Sequence, residues 1–384
     1  MKIVFISNGL LDTDCYPHPN QGGSVQTWGL AQELAKRHQV FIVRRYQVDG
    51  KNFINSVHLI NIKFKGLENI IKLQFMSAPF FIARIISSFY FSIKAIQVIR
   101  SINPDFIIII DRFSGLLPSF LNYSKIYVVH VSDAMDFSRN AAFKVNKINY
   151  LFFYLKNSIE KIILKKVNIT VVLNEYIRKF LVDLGYRSII KLNNGISLNE
   201  FNNYGECPYI LYAGRFDKNK NVLSLLNAFH KISNIFTHYK LYLIGSGPEE
   251  SIIRQKIYDY DLNNRVVLIP WLQREKLIEF IGKCTLFVLP SLIEVFPVVV
   301  LEAMASSKPT IARSNIGTRE IITHTYNGYL YSSDEELVKQ LILLLSKPEL
   351  RIKIGINARN TIEEKYSFMR LAEKYEKLFN NIER

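Results

Sequence analysis

The spacing of apolar and polar residues over the first 45 positions predicts a strand, a loop, a helix and a second strand. Residues 2–7 (KIVFIS) contain a continuous apolar run, which is typical of a strand covered on both faces of a sheet. After a polar loop, Ser24 is placed to cap a helix that continues to about Arg37. The apolar positions of this helix share one face: Val25, Trp28, Ala31 and Ala35. The run QVFIVRR follows, so the chain opens as a βαβ unit.

The same alternation continues to residue 190, is interrupted, and then restarts. In the first array, further strands are predicted at 105–110, 125–131 and 168–174, with helical patterns at 70–100 and 144–166. Residues 191–208 are rich in Asn and Gly and have no period, so they are predicted to be a linker. In the second array, strands are predicted at 209–214, 239–245, 265–270, 285–290 and 308–312, with helices at 221–236, 248–260 and 297–305.

Two successive arrays of this kind predict an α/β protein with two Rossmann-like, doubly wound parallel-sheet domains that face a cleft. The predicted first domain is 1–190 and the second is 209–365, with 191–208 between them. Residues 362–384 form an amphipathic helical pattern with no strand after it. We therefore expect 366–384 to cross back to the first domain.

Length and composition narrow the class of protein. The 384 residues suffice for two domains with cores of their own, and 49% hydrophobic with 21% charged residues excludes global disorder. The three cysteines (Cys15, Cys207 and Cys284) stand far apart, which argues against a disulfide framework or a zinc site. No export signal opens the chain and no apolar stretch of 18 residues lacks polar interruption, so we expect a cytoplasmic protein.

The net charge of +16 is concentrated in the first half of the chain. Residues 1–190 carry 24 Lys/Arg against 12 Asp/Glu, which favours an anionic partner, although a compositional bias toward Ile, Asn and Lys is an alternative explanation. Cations and aromatic residues are interleaved at 62–100 and 139–166. This pattern suits the surface of an anionic membrane, or alternatively the core face of a helix. No nucleic-acid recognition motif is present, so we expect no nucleic-acid partner.

The clearest chemical motif is EVFPVVVLE, in which Glu294 and Glu302 are separated only by apolar residues and Pro297. Glu294 follows a predicted strand, and Pro297 suits the first turn of a helix that would contain Glu302. Eight residues at ~100° each bring the two carboxylates toward the same side of such a helix. The amides of residues 297–300 would point to the same place and form an anion site. The motif predicts two carboxylates and a helix N-terminus around one ligand.

Three further segments carry chemistry that suits phosphate groups. Arg215 ends the strand YILYAG and Lys220 precedes the next helix, so a diphosphate could be bound by the Arg as a fork and the Lys as a point charge. Gly245 lies in IGSGPEE, a glycine turn after a strand. Gly22 and Gly23 directly precede the first predicted helix and would allow close approach of a phosphate or a sugar.

Other ligand-binding patterns are missing from the sequence. There is no GxGxxG, and Arg44-Arg45 stands where a dinucleotide-binding domain has its ribose-binding acid, which argues against an NAD-dependent oxidoreductase. There is also no GxxxxGK[ST]. Asp12-Thr13-Asp14 spells D-x-D, but it is far along the chain from Arg215, and we interpret it as a polar loop rather than a metal site.

Together, these motifs resemble the retaining glycosyltransferases of family 4, of GT-B architecture. The resemblance covers nearly the whole chain and includes the GG-helix, NNGIS, YAGRF, LIGSGP, PWLQREKL and SLIEVFPVVVLEAMASSKPTIA. It implies a nucleotide-diphosphate sugar bound mainly by the second domain, with no cofactor and no metal. The implied catalytic residues are Glu294, Arg215, Lys220 and His130. The implied donor-binding residues are Gly22, Gly23, Arg215, Lys220, Gly245, Leu272, Phe296, Val298, Val299 and Glu302.

The resemblance assigns roles to some of these residues. Arg215 and Lys220 match the diphosphate clamp, Glu302 matches the glutamate on the ribose hydroxyls, and Glu294 matches the one that faces the donor sugar. His130 resembles a first-domain histidine near that sugar, but the residues after it (VSD) depart from the usual His-Asp pair. A core histidine is therefore the alternative. VFP also replaces the more common GFG after Glu294.

The function expected from the resemblance is transfer of a sugar, with retention of configuration, to a hydroxyl of a glycan or lipid-linked acceptor. Because the first half of the chain is basic, we also expect the protein to bind peripherally to the cytoplasmic face of a membrane. Two alternatives stay open: a soluble enzyme that makes a small glycoside or a storage polymer, and a non-catalytic partner that binds nucleotide sugars.

Overall fold

The computed structural model describes residues 1–7, 22–46, 50–63, 78–110, 115–128 and 158–382. It divides into two compact units. The first comprises Met1–Asn193 with Leu371–Arg384, and the second comprises Asn194–Arg370. For comparison, the sequence predicts a division at 190 and 209, with a return to the first domain at 366.

The first unit is built on an eight-stranded sheet of order β3-β4-β2-β1-β5-β6-β7-β8. Its strands are β1 Lys2–Ser7, β2 Gln39–Tyr46, β3 Gly50–Ile54, β4 Val57–Lys63, β5 Phe106–Ile109, β6 Ser124–Val128, β7 Ile169–Val172 and β8 Ile189–Lys191. Its helices are Gly22–Ala35, Ala78–Ile102, residues 158–166, Glu175–Asp183 and Phe368–Ile382, with a 3₁₀ turn at Pro118–Phe120. Among the strands that the structure describes in this unit, every pair is parallel except β3–β4, an antiparallel edge hairpin that was not predicted.

The second unit contains a six-stranded, all-parallel sheet of order β11-β10-β9-β12-β13-β14. Its strands are β9 Cys207–Ala213, β10 Lys240–Ile244, β11 Val266–Ile269, β12 Cys284–Leu289, β13 Thr310–Arg313 and β14 Tyr329–Tyr331. Its helices are Val222–Ile232, Glu250–Asp259, Arg274–Lys283, Val298–Ala305, Thr318–Ile321, Asp334–Ser346 and Pro348–Lys365, with a 3₁₀ turn at Leu198–Glu200. The predicted fold class, two Rossmann-like parallel-sheet domains, is confirmed.

Both sheets form for the same physical reason. Their central strands contain continuous apolar runs, such as residues 3–6 in β1 and 286–289 in β12, and these residues are almost completely buried. A strand covered by helices on both faces can bury every side chain in this way. The apolar runs therefore fix the central strands, and their parallel register fixes which edge of each sheet collects the carboxyl ends.

The predicted helix at 362–384 is wrong in one respect: it is two helices. Pro348–Lys365 ends before Tyr366, and Phe368–Ile382 begins two residues later. Between them, Ile196 donates its N–H to the carbonyl of Tyr366 and accepts from the N–H of Phe368. Because this backbone pairing uses groups that a continuous helix would need, it separates the two helices.

The C-terminal helix Phe368–Ile382 packs its apolar face onto the first unit. Phe379 is fully buried, and its ring lies 4.5 Å from that of Phe106 at the start of β5. On the same helix, Glu376 accepts from Arg37 Nε and pairs with His38 Nε2, both at 2.9 Å. These contacts are the reason that the last residues of the chain belong to the first unit.

The start of the first helix also differs from prediction. The helix spans Gly22–Ala35, so Ser24 lies inside it and is not its N-cap. Gly22 and Gly23 accordingly occupy the first turn rather than a loop before the helix.

Candidate active site

Lys220 is presented by a short turn after the central strand β9. The carboxylate of Asp217 accepts from the N–H groups of Asn219 and Lys220, each at 3.1 Å, and so closes the turn on itself. Asn221, in the left-handed region at φ 51°, leads into the helix Val222–Ile232. This geometry fixes Lys220 at the carboxyl end of β9, where ligands of parallel sheets bind.

Lys220 and Glu294, which the sequence predicted to serve one ligand, form an ion pair. Lys220 Nζ lies 2.6 Å from Glu294 Oε1, and both side chains are largely shielded from solvent. The two loops are also joined through their backbones, since Leu292 donates to the carbonyl of Asn219 at 2.8 Å. β9 and β12 are neighbours in the sheet, so the loops that follow them meet at one edge.

The loop that carries Glu294 is held in place by Asn315 and Gly317, which were not among the predicted site residues. Asn315 donates to the carbonyl of Ser291 and accepts from the N–H groups of Gly317 and Thr318. A Cβ on Gly317 would lie 2.6 Å from the carbonyl oxygen of Glu294, so only glycine fits there.

Glu302 pairs with a cation, Arg274, that was not among the predicted site residues. Its Oε1 accepts from Arg274 at 2.7 Å, and Arg274 also contacts Glu200 Oε2 at 3.0 Å. Glu302 is 6% exposed, and burial raises the pKa of its carboxyl while Arg274 opposes that rise. Burial by itself lowers the pKa of Arg274. The carboxylates of Glu302 and Glu200 together have the larger effect, so the pKa of Arg274 is raised. Arg274 therefore favours the ionised form of Glu302.

The helix that contains Glu302 begins one residue later than predicted. Pro297 is its N-cap and Val298 its first residue. Val300 donates its N–H to the carbonyl of Pro297. The first N–H groups of a helix have no partner within it. An anion site was predicted at the amides of residues 297–300, but Pro297 has no N–H and that of Val300 is used. The N–H groups of Val298 and Val299 remain to face a ligand. The ring of Phe296 is buried, and its centre lies 5.8 Å from that of the Tyr366 ring. Because this side chain is packed in the interior, Phe296 can contact a ligand only through its backbone.

Gly245 makes a close backbone contact at the same edge of the sheet. Its φ is +141°, and a Cβ there would lie 1.9 Å from the carbonyl oxygen of Gly214, the residue before Arg215. The position therefore requires glycine. Leu272, after β11, is half-buried.

Arg215 stands apart from the Lys220–Glu294 pair. Its side chain is 64% exposed, and its Nε contacts Asp217 at 3.2 Å. The carbonyl of Arg215 accepts from the hydroxyl of Tyr212 at 2.7 Å, which anchors its backbone. Burial, and then the charges of Glu294 and Asp217, raise the pKa of Tyr212 well above its usual value. The structure thus anchors the main chain of Arg215 and leaves its guanidinium in solvent.

Some predicted residues lie outside the described ranges. These are His130, the D-x-D segment at 12–14, residues 64–77 of the 62–100 segment and residues 139–157 of the 139–166 segment. Across the parts of the chain that the structure describes, no helix is long and apolar enough to cross a membrane. Within the same ranges, no group of three or more His, Cys, Asp or Glu is placed to hold a metal ion.

Known proteins share sequence similarity with this chain. The family model "Glycosyl transferases group 1" matches residues 196–361, a range that contains Arg215, Lys220, Gly245, Arg274, Glu294 and Glu302. The uncharacterized glycosyltransferase MJ1178 of Methanocaldococcus jannaschii is 29% identical over 273 residues, which cover 70% of this chain and 71% of that protein. Over residues 196–361 the chain is thus similar to the glycosyl transferases of group 1.

Solved structures share the fold over the whole chain. Sucrose-phosphate synthase of Thermosynechococcus elongatus superposes with a TM-score of 0.77 at 18% identity, covering 99% of this chain and 98% of that one. A TarM variant of S. aureus, solved in complex with Fondaparinux, alpha-GlcNAc-glycerol and UDP, gives a TM-score of 0.74 at 16% identity and covers 99% of each chain. These similarities confirm the GT-B type of fold.

Proposed function

We propose that the protein transfers a sugar from a nucleotide-diphosphate donor, held by the second unit, to a hydroxyl of a glycan or lipid-linked acceptor, with retention of configuration. The observation that carries this proposal is the 2.6 Å pair of Lys220 and Glu294 beside the helix that begins at Val298. A cation for phosphate, a carboxylate for sugar hydroxyls and free helix amides converge at the carboxyl edge of one sheet. The presence of UDP in the TarM complex supports a nucleotide donor.

The difficult step is departure of the nucleoside diphosphate from the anomeric carbon, because negative charge grows on the phosphate oxygens. Lys220, the amides of Val298 and Val299, and the exposed guanidinium of Arg215 are the donors that meet this charge. Each such preorganised donor contributes on the order of 3 kcal/mol. The diphosphate competes with Glu294 for Lys220, so donor binding frees the Glu294 carboxylate to accept from the sugar hydroxyls.

Retention follows in this proposal from attack on the same face that the leaving group occupies. The leaving phosphate helps to deprotonate the acceptor hydroxyl, so no carboxylate nucleophile is needed. The cations neutralise the diphosphate in place of a metal ion. His130 is proposed to lie near the donor sugar, on the evidence of the resemblance alone.

A panel of nucleoside diphosphates and nucleotide sugars in a thermal-shift assay tests donor binding. A cognate ligand at ~100-fold excess over its Kd should stabilise the protein by about 2.7 kcal/mol. Lys220→Ala should abolish the shift, whereas Lys218→Ala, in the same turn but exposed, should leave it intact. Failure of every nucleotide to stabilise the wild-type protein would refute the proposal.

Turnover measurements test the diphosphate clamp. Arg215→Ala and Lys220→Ala should each lower kcat by about two orders of magnitude, because each removes a donor to the leaving group. Lys218→Ala again serves as the matched control. Unchanged rates in both variants would refute the assignment of Arg215 and Lys220 to the leaving diphosphate.

The two glutamates are proposed to act differently. Glu302→Gln should mainly weaken binding of free nucleoside diphosphate, and Glu294→Gln should mainly lower kcat, because only Glu294 faces the sugar. Equal weakening of nucleoside diphosphate binding in the two variants would contradict this division.

The acceptor is proposed to reach the first unit at a membrane surface. On the helix Ala78–Ile102, the side chains of Phe89, Ile93, Lys94 and Arg100 are exposed, which suits an anionic interface. Each cation near such a surface contributes ~1 kcal/mol, and the attraction weakens as salt rises. The test is co-sedimentation with anionic and neutral vesicles. It is repeated with a variant in which Lys63, Lys65 and Lys72, three cations that precede this helix in the basic segment 62–100, are changed to Glu. Negligible sedimentation with both vesicle types would favour a soluble acceptor.

A further inference from the structure

A second candidate ligand site lies in the first unit, in a cavity of ≈ 520 Å³. One wall is the helical segment 158–166, and the other is the loop between the helix Glu175–Asp183 and β8. The polar side chains that line it are those of Lys161, Lys165, Asn168, Tyr186, Arg187 and Ser188. The volume falls within the range of about 300–1,000 Å³ that is common for small-molecule sites.

The position of this cavity separates it from the chemistry described above. It lies at the amino ends of two strands, since β7 begins at Ile169 and β8 at Ile189. Substrates of parallel α/β sheets bind outside the carboxyl ends of the strands. Every residue of the Lys220–Glu294 cluster also belongs to the second unit. The cavity is therefore a site in its own right.

The cavity concentrates positive charge. Lys161 and Lys165 are four residues apart on one helical face, and Arg187 belongs to the opposite wall; all three are exposed. Among the described residues that line the cavity, none is acidic. Two lysines at this spacing repel each other and destabilise the helix, so the arrangement favours a bound counter-anion. By contrast, the lining of the cavity at the start of β1 includes an acid, Asp105, as well as the cations Lys2 and Arg37.

Glu160, on the helical segment that forms one wall, faces the protein interior and is already engaged in a hydrogen bond. Glu160 is fully buried, and its Oε1 accepts from the hydroxyl of Tyr127 at 3.1 Å. Burial, and then the charge of Glu160, raise the pKa of Tyr186. The Tyr186 hydroxyl therefore keeps its proton at neutral pH and can donate a hydrogen bond.

The loop that forms the second wall is held in one conformation. Gly185 has φ +85°, and its N–H donates to the carbonyl of Val182 at 2.9 Å, as expected at a helix C-terminus. Ser188 is also left-handed, and its carbonyl accepts from Thr170 at 3.0 Å. On the other wall, Asn168 Oδ1 accepts from the N–H of Lys125, so the NH₂ end of this amide is left to donate.

We propose that this cavity binds a phosphorylated ligand through Lys161, Lys165 and Arg187. Phosphate carries close to two negative charges and three acceptor oxygens at neutral pH, and the Arg fork binds it in a bidentate manner. The hydroxyls of Tyr186 and Ser188 and the amide of Asn168 supply neutral donors. The phosphate can belong to a small metabolite or to a lipid headgroup.

Hydrogen exchange with inorganic pyrophosphate as the probe tests the proposal locally. Pyrophosphate should slow exchange in peptides that cover 158–168 and 184–190, and titration gives the half-protecting concentration. Peptides that cover 213–224 and 291–300 report the proposed donor site separately, so the two proposals can fail independently. Absence of protection at 184–190 in the wild-type protein would overturn this one.

The triple variant Lys161→Gln, Lys165→Gln, Arg187→Gln should raise the half-protecting concentration at least about tenfold, which corresponds to ~1.4 kcal/mol. The matched control is Lys51→Gln, Lys179→Gln, Lys353→Gln, which removes three exposed cations elsewhere and should behave as wild type. If the triple variant does not fold, Arg187→Gln alone should still weaken protection severalfold. Equal protection in these variants and the control would refute the site.

The source of the phosphate is distinguished by vesicle flotation. Vesicles of phosphatidic acid in phosphatidylcholine are compared with vesicles of phosphatidylcholine alone. A loss of flotation confined to the cavity variant assigns the site to a lipid headgroup. Pyrophosphate protection with equal flotation of the cavity and control variants assigns it to a small phosphorylated molecule.

Discussion

Arg274→Ala should cost far more stability than the position of Arg274 at a helix start would indicate. The guanidinium is 16% exposed and lies 2.7 Å from Oε1 of the buried Glu302. The substitution leaves that carboxylate in the protein interior without its cation. Burial then opposes the charge of Glu302 with nothing to offset it.

The magnitude follows from the three contacts of Arg274. Removing one partner of a buried ion pair costs about 3–5 kcal/mol. The contact with Glu200 is half-exposed and adds at most ~1 kcal/mol. The guanidinium also lies 5.5 Å from the centre of the Phe201 ring, which adds about 0.5–1 kcal/mol. We expect a total loss of roughly 4 kcal/mol at neutral pH.

The cost should depend on pH in a defined direction. Burial raises the pKa of Glu302 in the folded protein, and without Arg274 this pKa rises further. A carboxyl whose pKa is higher in the folded than in the unfolded protein lowers the free energy of unfolding as pH rises through the folded pKa. Below the pKa of the unfolded state it has no such effect. The difference in free energy of unfolding between wild type and Arg274→Ala should therefore shrink as pH falls from 7 toward 4.

The assay is amide hydrogen exchange in the helix Val298–Ala305, which gives a local opening free energy without requiring the two units to unfold together. A double-mutant cycle of Arg274→Ala and Glu302→Gln should give a coupling of at least about 2 kcal/mol. Glu200→Gln is the control and should cost at most ~1 kcal/mol. Additivity within ~0.5 kcal/mol, or a cost that is equal at pH 7 and pH 4, would refute the reasoning.

Three further predictions concern packing around the site and the C-terminal helix. Gly245→Ala should destabilise the second unit by about 2–3 kcal/mol in urea unfolding, because its Cβ would lie 1.9 Å from the Gly214 carbonyl oxygen; an unchanged midpoint would contradict this close approach. Tyr212→Phe leaves the carbonyl of Arg215 unpaired and should cost ~1–3 kcal/mol in the same assay. Phe379→Ala should cost about 3–5 kcal/mol, whereas Met369→Ala, on an exposed position of the same helix, should be nearly neutral in thermal unfolding.

The residues that follow strands were the easiest part of the site to predict. Arg215, Lys220, Gly245 and Glu294 all lie just after an apolar run, and the parallel topology brings such positions to one edge of the sheet. Their assignment to one region of the second unit needed only the order of strands and loops. Their roles in donor binding and catalysis stay predictions.

Residues that act through distant partners were not predictable in this way. Arg274 is 28 positions from Glu302, and Asn315 is 24 from Ser291, so neither pair produces a local pattern. The break near Tyr366 was missed for the same reason, since the backbone of Ile196, from the far end of the second unit's sequence, terminates the helix. Amphipathic periodicity continued through this break and gave no sign of it.

The sequence by itself determined the central strands of the two parallel sheets, because short continuous apolar runs are typical of strands covered on both faces. It also determined which residues follow those strands. The tertiary structure decided which charges meet: Lys220 with Glu294, and Arg274 with Glu302. Hydrophobic burial is non-directional and can be read along the chain, whereas an ion pair depends on distances of a few ångströms between segments that only the completed fold brings together.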